Sequence, residues 1–404
     1  MPASPAPRLS PWLALLFSVA CALAVANVYY AQPLLDAMAR DFAIDPALVG
    51  LVVTLTQVGY GLGLILLVPL GDLFERRRLI VLQSLLSVLA LLMIALATSS
   101  AWLFVGMALT GLLAVVAQLL VAHAASVSAD TERGHVVGMV TSGIVIGILL
   151  ARTLSGAMAD LAGWRSIYAL SAALTLLMTL LLWRVLPAHT AARPNTGYGA
   201  LLVSLWQLVR EQPVLRQRAL LAMLSFASAM VLWTPLVLPL SAPPLSLSAT
   251  EVGLFGLAGA AGALAAARAG GLADRGLGQR VSGLSLLLMI GSWGAIALTQ
   301  QSLWALLLGV VVFDLGLQAL HVASQSLIYR LPADTHSRLT AAYMLFYSIG
   351  SALGSLASTL AYAWGGWLLV CALGAGLNVL ALGYWWRTVR QPAQNCTSSI
   401  TLSR

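Results

Sequence analysis

Asp314, Gln318, His321 and Gln325 recur at i, i+4, i+7 and i+11 in "DLGLQALHVASQ". That spacing puts all four on one face of a helix, inside a stretch that is otherwise apolar. At 1.5 Å per residue from Ser302, Asp314 lies about 18 Å deep. A carboxyl group removed from water there can take up and release a proton, and an imidazole two turns on can pass it along. A charge at mid-bilayer costs about 3 kcal/mol, so every ionisable group in such a stretch is a functional candidate. Arg152 is another, about 25 Å into its segment. It can reach water along its own stem, or pair with Asp36 or with an anionic group of a substrate. "ANVYYAQPLLD" supplies Asn27, Tyr30, Gln32 and Asp36, with Tyr29, Gln32 and Asp36 on one stripe. Aromatic and amide groups of this kind suit an amphipathic organic molecule, and Pro33 interrupts the helix that carries them. Gln57, Tyr60, Gln118 and His123, then Trp233, Tyr343 and Tyr347, are weaker candidates for the same cavity.

The elements that must hold these groups follow from composition. Hydrophobic residues make up 60% of the chain and charged ones 8%, with a mean hydropathy of +0.93. A soluble domain carries roughly 25% charged residues. A bilayer-spanning helix needs about 20 apolar residues, and twelve segments qualify, near 12–38, 47–70, 79–98, 101–127, 136–159, 164–186, 217–240, 250–270, 281–300, 302–328, 339–363 and 366–387. The alternating pattern of a membrane barrel is absent. The fold class is therefore an all-α polytopic membrane protein. All 21 basic residues are arginine. With the N-terminus inside, eighteen fall on the inner side, only Arg40 and Arg165 fall outside, and Arg152 lies within a span. That asymmetry places both termini in the cytoplasm, and it accounts for the net charge of +8 without any nucleic-acid partner. Cys21 and Cys371 lie within spans and Cys396 on the inner tail, so no disulfide framework is implied. The first apolar segment lacks a signal-peptide cleavage pattern and is retained as a span.

The chain is also duplicated. "PLGDLFERRRLI" and "GGLADRGLGQRV" each follow the second span of a half, and Asp72 and Asp274 lie half a chain length apart. Residues 1–186 form one six-helix bundle and 217–390 the other, with a linker at 187–216 and a tail at 391–404. Within the linker, Leu201, Leu202, Leu205, Leu208 and Val209 share a face opposite Ser204, Gln207, Arg210 and Glu211, the pattern of a helix lying on the membrane surface. Glycines recur in span two (Gly59, Gly61, Gly63) and span eight (Gly253, Gly256, Gly259, Gly262), where small residues let helix backbones approach closely.

The repeated loops resemble a signature of the major facilitator superfamily, G-x-x-x-D-R-x-G-R-R. The second copy keeps Gly270, Asp274, Arg275 and Gly278, while the first keeps Asp72, Arg76 and Arg77 but has Val68, Leu73 and Glu75 at other signature positions. Gly138, Gly147, Ala151, Arg152, Ser155 and Gly156 match the spacing of a span-five motif of proton-antiporting drug exporters, with its Gly-Pro pair replaced by Ala-Arg. "ANVYYAQPLL" and "DLGLQALHVASQSLIY" resemble a bacterial branch of sugar and drug efflux permeases. An arginine that such exporters carry in span four is absent, its place falling near Met107. The resemblance implies a twelve-span alternating-access fold in a bacterial inner membrane. It also implies a latch in which Asp72, with Arg76 and Arg77, ties its half to the start of span eleven near Arg338, with Asp274 and Arg275 as the counterpart.

The expectation is a monomeric secondary transporter that expels a small drug-like or sugar-like molecule in exchange for protons, the alternative being a symporter or facilitator importing a sugar or organic acid. No cofactor, metal or catalytic residue is expected. No P-loop appears, no acid cluster suggests a sodium site, and the five histidines are scattered, which argues against an embedded enzyme.

Overall fold

The computed structural model describes residues 11–128, 132–186, 198–265, 272–331 and 336–390. In lipid every backbone N–H and C=O must be satisfied within its own segment, and among the described residues the regular structure is helical. Among the described residues, nine helices are long and apolar enough to cross a membrane. One of these, within His336–Arg390, counts 55 residues and breaks at Gly365 and Gly366. Gly366 has φ +63° and ψ −161°, a conformation that a side chain disfavours, so this helix makes two crossings. Leu51–Leu66 and Ala249–Ala265 bring the spans to twelve. Leu161, Trp304 and Leu308 are among many large apolar side chains left more than half exposed, a surface suited to lipid rather than water.

Spans one and seven are each broken at a proline. Span one is helical over Pro11–Tyr29, tightens to a 3₁₀ turn at Gln32–Leu34 and resumes at Leu35–Phe42. Span seven runs Pro213–Trp233 and resumes at Val237–Ser241. Pro33 and Pro235 remove a backbone donor at each break, and they are as far apart in sequence as Asp72 and Asp274. The duplication therefore breaks the first helix of each half at the same place.

The spans of the two halves are joined at mid-depth and towards the end remote from the termini. Between described residues, Thr359 donates to the Ala47 carbonyl at 2.9 Å, Thr54 to the Ala352 carbonyl at 3.2 Å, Ser348 to the Gln57 carbonyl at 2.5 Å and Thr153 to the Gly253 carbonyl at 3.0 Å. Span eight (Ala249–Ala265) opens on a capping box: Ser248 N–H donates to Glu251 at 2.8 Å, and Glu251 N–H to the Ser248 hydroxyl at 3.3 Å. Two donors of its first turn remain, and both go to the other half. Ala249 and Thr250 N–H bond the Asp160 carboxylate at 3.3 and 2.7 Å, so Asp160, at the end of span five (Arg133–Ala162), caps span eight in trans. The linker helix Tyr198–Glu211 lies at the opposite end, where Tyr198 donates to the Leu66 carbonyl at 2.9 Å. The remainder of the linker, 187–197, and the tail from 391 lie outside the described residues.

Candidate functional site

The two breaks place polar groups where the halves meet. Gln32, freed from a regular helix in span one, accepts a hydrogen bond from Arg152 Nε of span five at 2.5 Å and directs its Nε2 to Met230 Sδ of span seven at 3.6 Å. Trp233, the last residue before the break in span seven, presents its ring to the Arg152 guanidinium at 4.0 Å. Its indole N–H points to Asp314 Oδ1 of span ten (Leu303–Ile328) at 3.4 Å. Tyr29 lies on another side of the guanidinium, its ring centroid at 5.3 Å, and its hydroxyl is 2.6 Å from that of Tyr347 in span eleven. Arg152 is 7% exposed and Asp314 8%. One indole thus touches a buried cation and a buried carboxyl group, and no ion pair within 4.0 Å joins those two among the described residues.

Span eight makes room for both charges. A residue three positions on lies 60° short of a full turn at 100° per residue, so Gly253, Gly256, Gly259 and Gly262 wind half-way round the helix from span five to span ten. A Cβ at Gly253 would come within 2.5 Å of the Arg152 carbonyl oxygen, and one at Gly256 within 3.0 Å of the Arg152 Cβ. A Cβ at Gly259 would strike the Asp314 carboxylate and lie 3.0 Å from Trp233. The glycines of this span do more than let backbones approach: they leave the volume that Arg152, Trp233 and Asp314 occupy.

The remaining candidates divide. Gln318, His321 and Gln325 continue the span-ten stripe at intermediate burial. His321 Nδ1 is 3.0 Å from the Tyr343 hydroxyl, and its ring meets Phe226 edge-on at 5.4 Å. Phe226 in turn contacts Tyr347 at 4.0 Å, which continues the aromatic lining to the Tyr29–Tyr347 pair. Gln118 donates to the Tyr60 hydroxyl at 3.4 Å. Asn27 and Tyr30 turn instead into their own half. Asn27 accepts from Ser171 at 2.6 Å, and Tyr30 packs edge-on against Tyr168 at 6.2 Å. Asp36 does not meet Arg152, contrary to the pairing considered from sequence. It lies beyond the Pro33 break and bonds Arg40, one helical turn away, at 2.8 Å, because the break turns the stripe that Tyr29 and Gln32 share away from it. His123 is buried against Phe17 at 5.9 Å, inside the first half.

At the repeated loops, Arg76 bonds the carbonyls of Gly71 and Ala122 at 3.1 and 3.2 Å, and Arg77 the carbonyl of Trp183 at 2.5 Å. These contacts stay within the first half. Arg275 is exposed, in a turn where Gly276 takes φ +85°. The side chains of Asp72 and Asp274, and all of Arg268, lie outside the described residues.

A helical bundle in two repeats, sealed at one end around buried polar groups, has the form of an alternating-access carrier, and sequence comparison decides the family. The Major Facilitator Superfamily pattern matches residues 15–281 and 219–401. The chain belongs to the Major Facilitator Superfamily. It is similar to the uncharacterized transporter YgaY of Escherichia coli O157:H7, 47% identical over 389 residues that cover 96% of this chain and 98% of that one. It also resembles the "Probable sugar efflux transporter" of Helicobacter pylori strain HPAG1, at 23% identity with 88% and 89% covered. Among solved structures, a bacterial homolog of the human lysosomal transporter Spinster, inward-facing and occupied, superposes with a TM-score of 0.74 over 94% of this chain and 96% of that chain, at 15% identity. As a Major Facilitator Superfamily member the chain is a membrane-spanning transporter of small molecules, not an enzyme.

Sequence reasoning ranked Trp233 low and passed over Asp160. Tryptophan gives no sign of its partners in a sequence, and Asp160 acts through backbone donors of a helix in the other half. The span-eight glycines, read for the direction each one faces, carried a signal for the site.

Proposed function

We propose that this transporter is proton-coupled, with Asp314 as the group that gains and loses the proton. The observation that carries the reading is the placement of Asp314: buried at mid-span, on the indole that also holds Arg152, where the two halves meet. Protonation or ionisation there alters the electrostatics at the seam that must open and close. The contacts between the halves support reading this conformation as open towards the cytoplasm, with both termini on that side, in a bacterial inner membrane and as a single-chain unit. The Asp72 and Asp274 loops are proposed to latch the opposite state.

The charge of the substrate sets the sense of coupling. A neutral or cationic molecule that competes with the proton for Asp314 is exchanged for it and expelled, the direction that the name of the Helicobacter pylori relative supports. An anion is repelled by an ionised Asp314 and so moves with the proton. In proteoliposomes, a ligand found by thermal-shift screening should drive proton movement in the wild type. Asp314→Asn should still exchange that ligand down its gradient while moving no protons. Proton movement undiminished in Asp314→Asn would place the coupling group elsewhere.

A further inference from the structure

We infer that Arg152 is the binding group for a carboxylate on the transported molecule, whose body is flat and apolar. The inference rests on the transporter reading and selects cotransport with the proton within it. Arg152 is enclosed on several sides. Nε is used by Gln32, the ring of Trp233 lies at 4.0 Å and that of Tyr29 at 5.3 Å. Gly253 and Gly256 of span eight close around its backbone and stem. What remains is the edge carrying Nη1 and Nη2, and neither nitrogen has a hydrogen-bond partner among the described residues.

A structural arginine at this depth would be expected to close onto the nearest acid, because a buried cation with idle donors is costly. The other acids on spans one and five are committed elsewhere. Asp36 pairs with Arg40, Asp41 with Arg165 and Trp164, and Asp160 caps span eight. Asp314 takes the indole N–H of Trp233 rather than the guanidinium. An idle guanidinium edge fits the two oxygens of a carboxylate in parallel hydrogen bonds. The aromatic groups that begin at Trp233 and Tyr29 and continue through Tyr347 and Phe226 offer flat faces to an apolar body.

Beside the guanidinium lies a void of 10 Å³ lined by Gln32, Pro33, Trp233, Leu236, Val237 and Val252. That is room for no more than about one water, so a carboxylate enters only when the surrounding groups part. Once there it lies near Asp314. Two anions in one apolar site disfavour each other, so the carboxylate binds best when Asp314 carries its proton.

Benzoate, benzamide and benzylamine, matched in size and differing in charge, test this on the purified full chain by thermal shift and titration calorimetry. Benzoate should bind, and the amide and amine should bind more than about tenfold more weakly, since a charged hydrogen-bond pair is lost. Arg152→Gln should weaken benzoate by a similar factor. Arg152→Lys, which keeps the charge without the fork, should fall between and serves as a second folded variant. Asp314→Asn should bind benzoate with an affinity that no longer rises as pH falls. Equal binding of the three probes, no binding of benzoate, or unaltered benzoate affinity in Arg152→Gln overturns the assignment. These measurements use no gradient, so they can fail while proton-coupled transport of another molecule stands. Conversely, Arg152-dependent binding whose pH response survives in Asp314→Asn keeps the anion site and removes Asp314 as the proton group.

Discussion

Arg152 and Asp314 share a tryptophan rather than an ion pair, and the distinction matters for a carrier. A direct pair buried in lipid is hard to separate, because breaking it leaves two uncompensated charges. Contact through an indole face and an indole N–H leaves each charge available to a proton or a ligand. The space for this contact depends on Gly259, where a methyl group would collide with the carboxylate. Gly259→Ala should therefore destabilise the protein by about 1–3 kcal/mol through overpacking, read by thermal unfolding, and should depress transport. Gly291→Ala, on the membrane face with no atom within 4 Å of the new Cβ, should leave both unaltered. An equal loss at the two positions would show that an added methyl group is harmful at any span glycine, and not through the Asp314 site.

At the level of elements, a proline break in span one and its repeat counterpart in span seven supply the irregular backbone of the proposed binding region, while the breaks stay covered by neighbouring helices. Pro33→Ala should restore a more regular helix across Gln32 and withdraw its amide from Arg152, lowering transport with little change in helix content by circular dichroism. The trans cap is a second element-level device. Asp160 satisfies the first turn of span eight only while the halves are together at that end, and a carboxylate at a helix N-terminus is favourable. Asp160→Ala should cost the sealed state about 1 kcal/mol, as loss of a cap does. Spin-label distances across that end should then shift towards the separated population; an unshifted distribution would reduce the contact to ordinary loop packing.

For the whole molecule, hydroxyl-to-carbonyl hydrogen bonds and glycine contacts cross the seam between the halves, beside an apolar cluster that runs on from one half into the other. A cysteine pair at Ala47 and Thr359, whose hydrogen bond spans the seam, should cross-link readily under oxidation and arrest transport. A reductant should restore it, and transport that continues through the cross-link would show that this end need not open. The twelve spans, the duplication, the break at Pro33 and the burial of Arg152 and Asp314 within spans were all legible in the residues, because each is local: apolar length, repeat spacing, a missing donor, a charge where lipid forbids one. The helix of the linker was legible for the same reason, from the period of Leu202, Leu205 and Leu208. Partnership was not. Asp36 and Gln32 share a stripe in an unbroken helix, and only the angle of the break sends one to Arg40 and the other to Arg152. Asn27 and Tyr30 face inward because of how spans one and six pack, and Trp233 gains its place between two charges from five spans meeting at one depth. Composition and periodicity determine which groups enter the membrane, since that follows from the cost of each residue in lipid. Which of them meet is decided by helix packing across hundreds of residues, which only the tertiary structure contains.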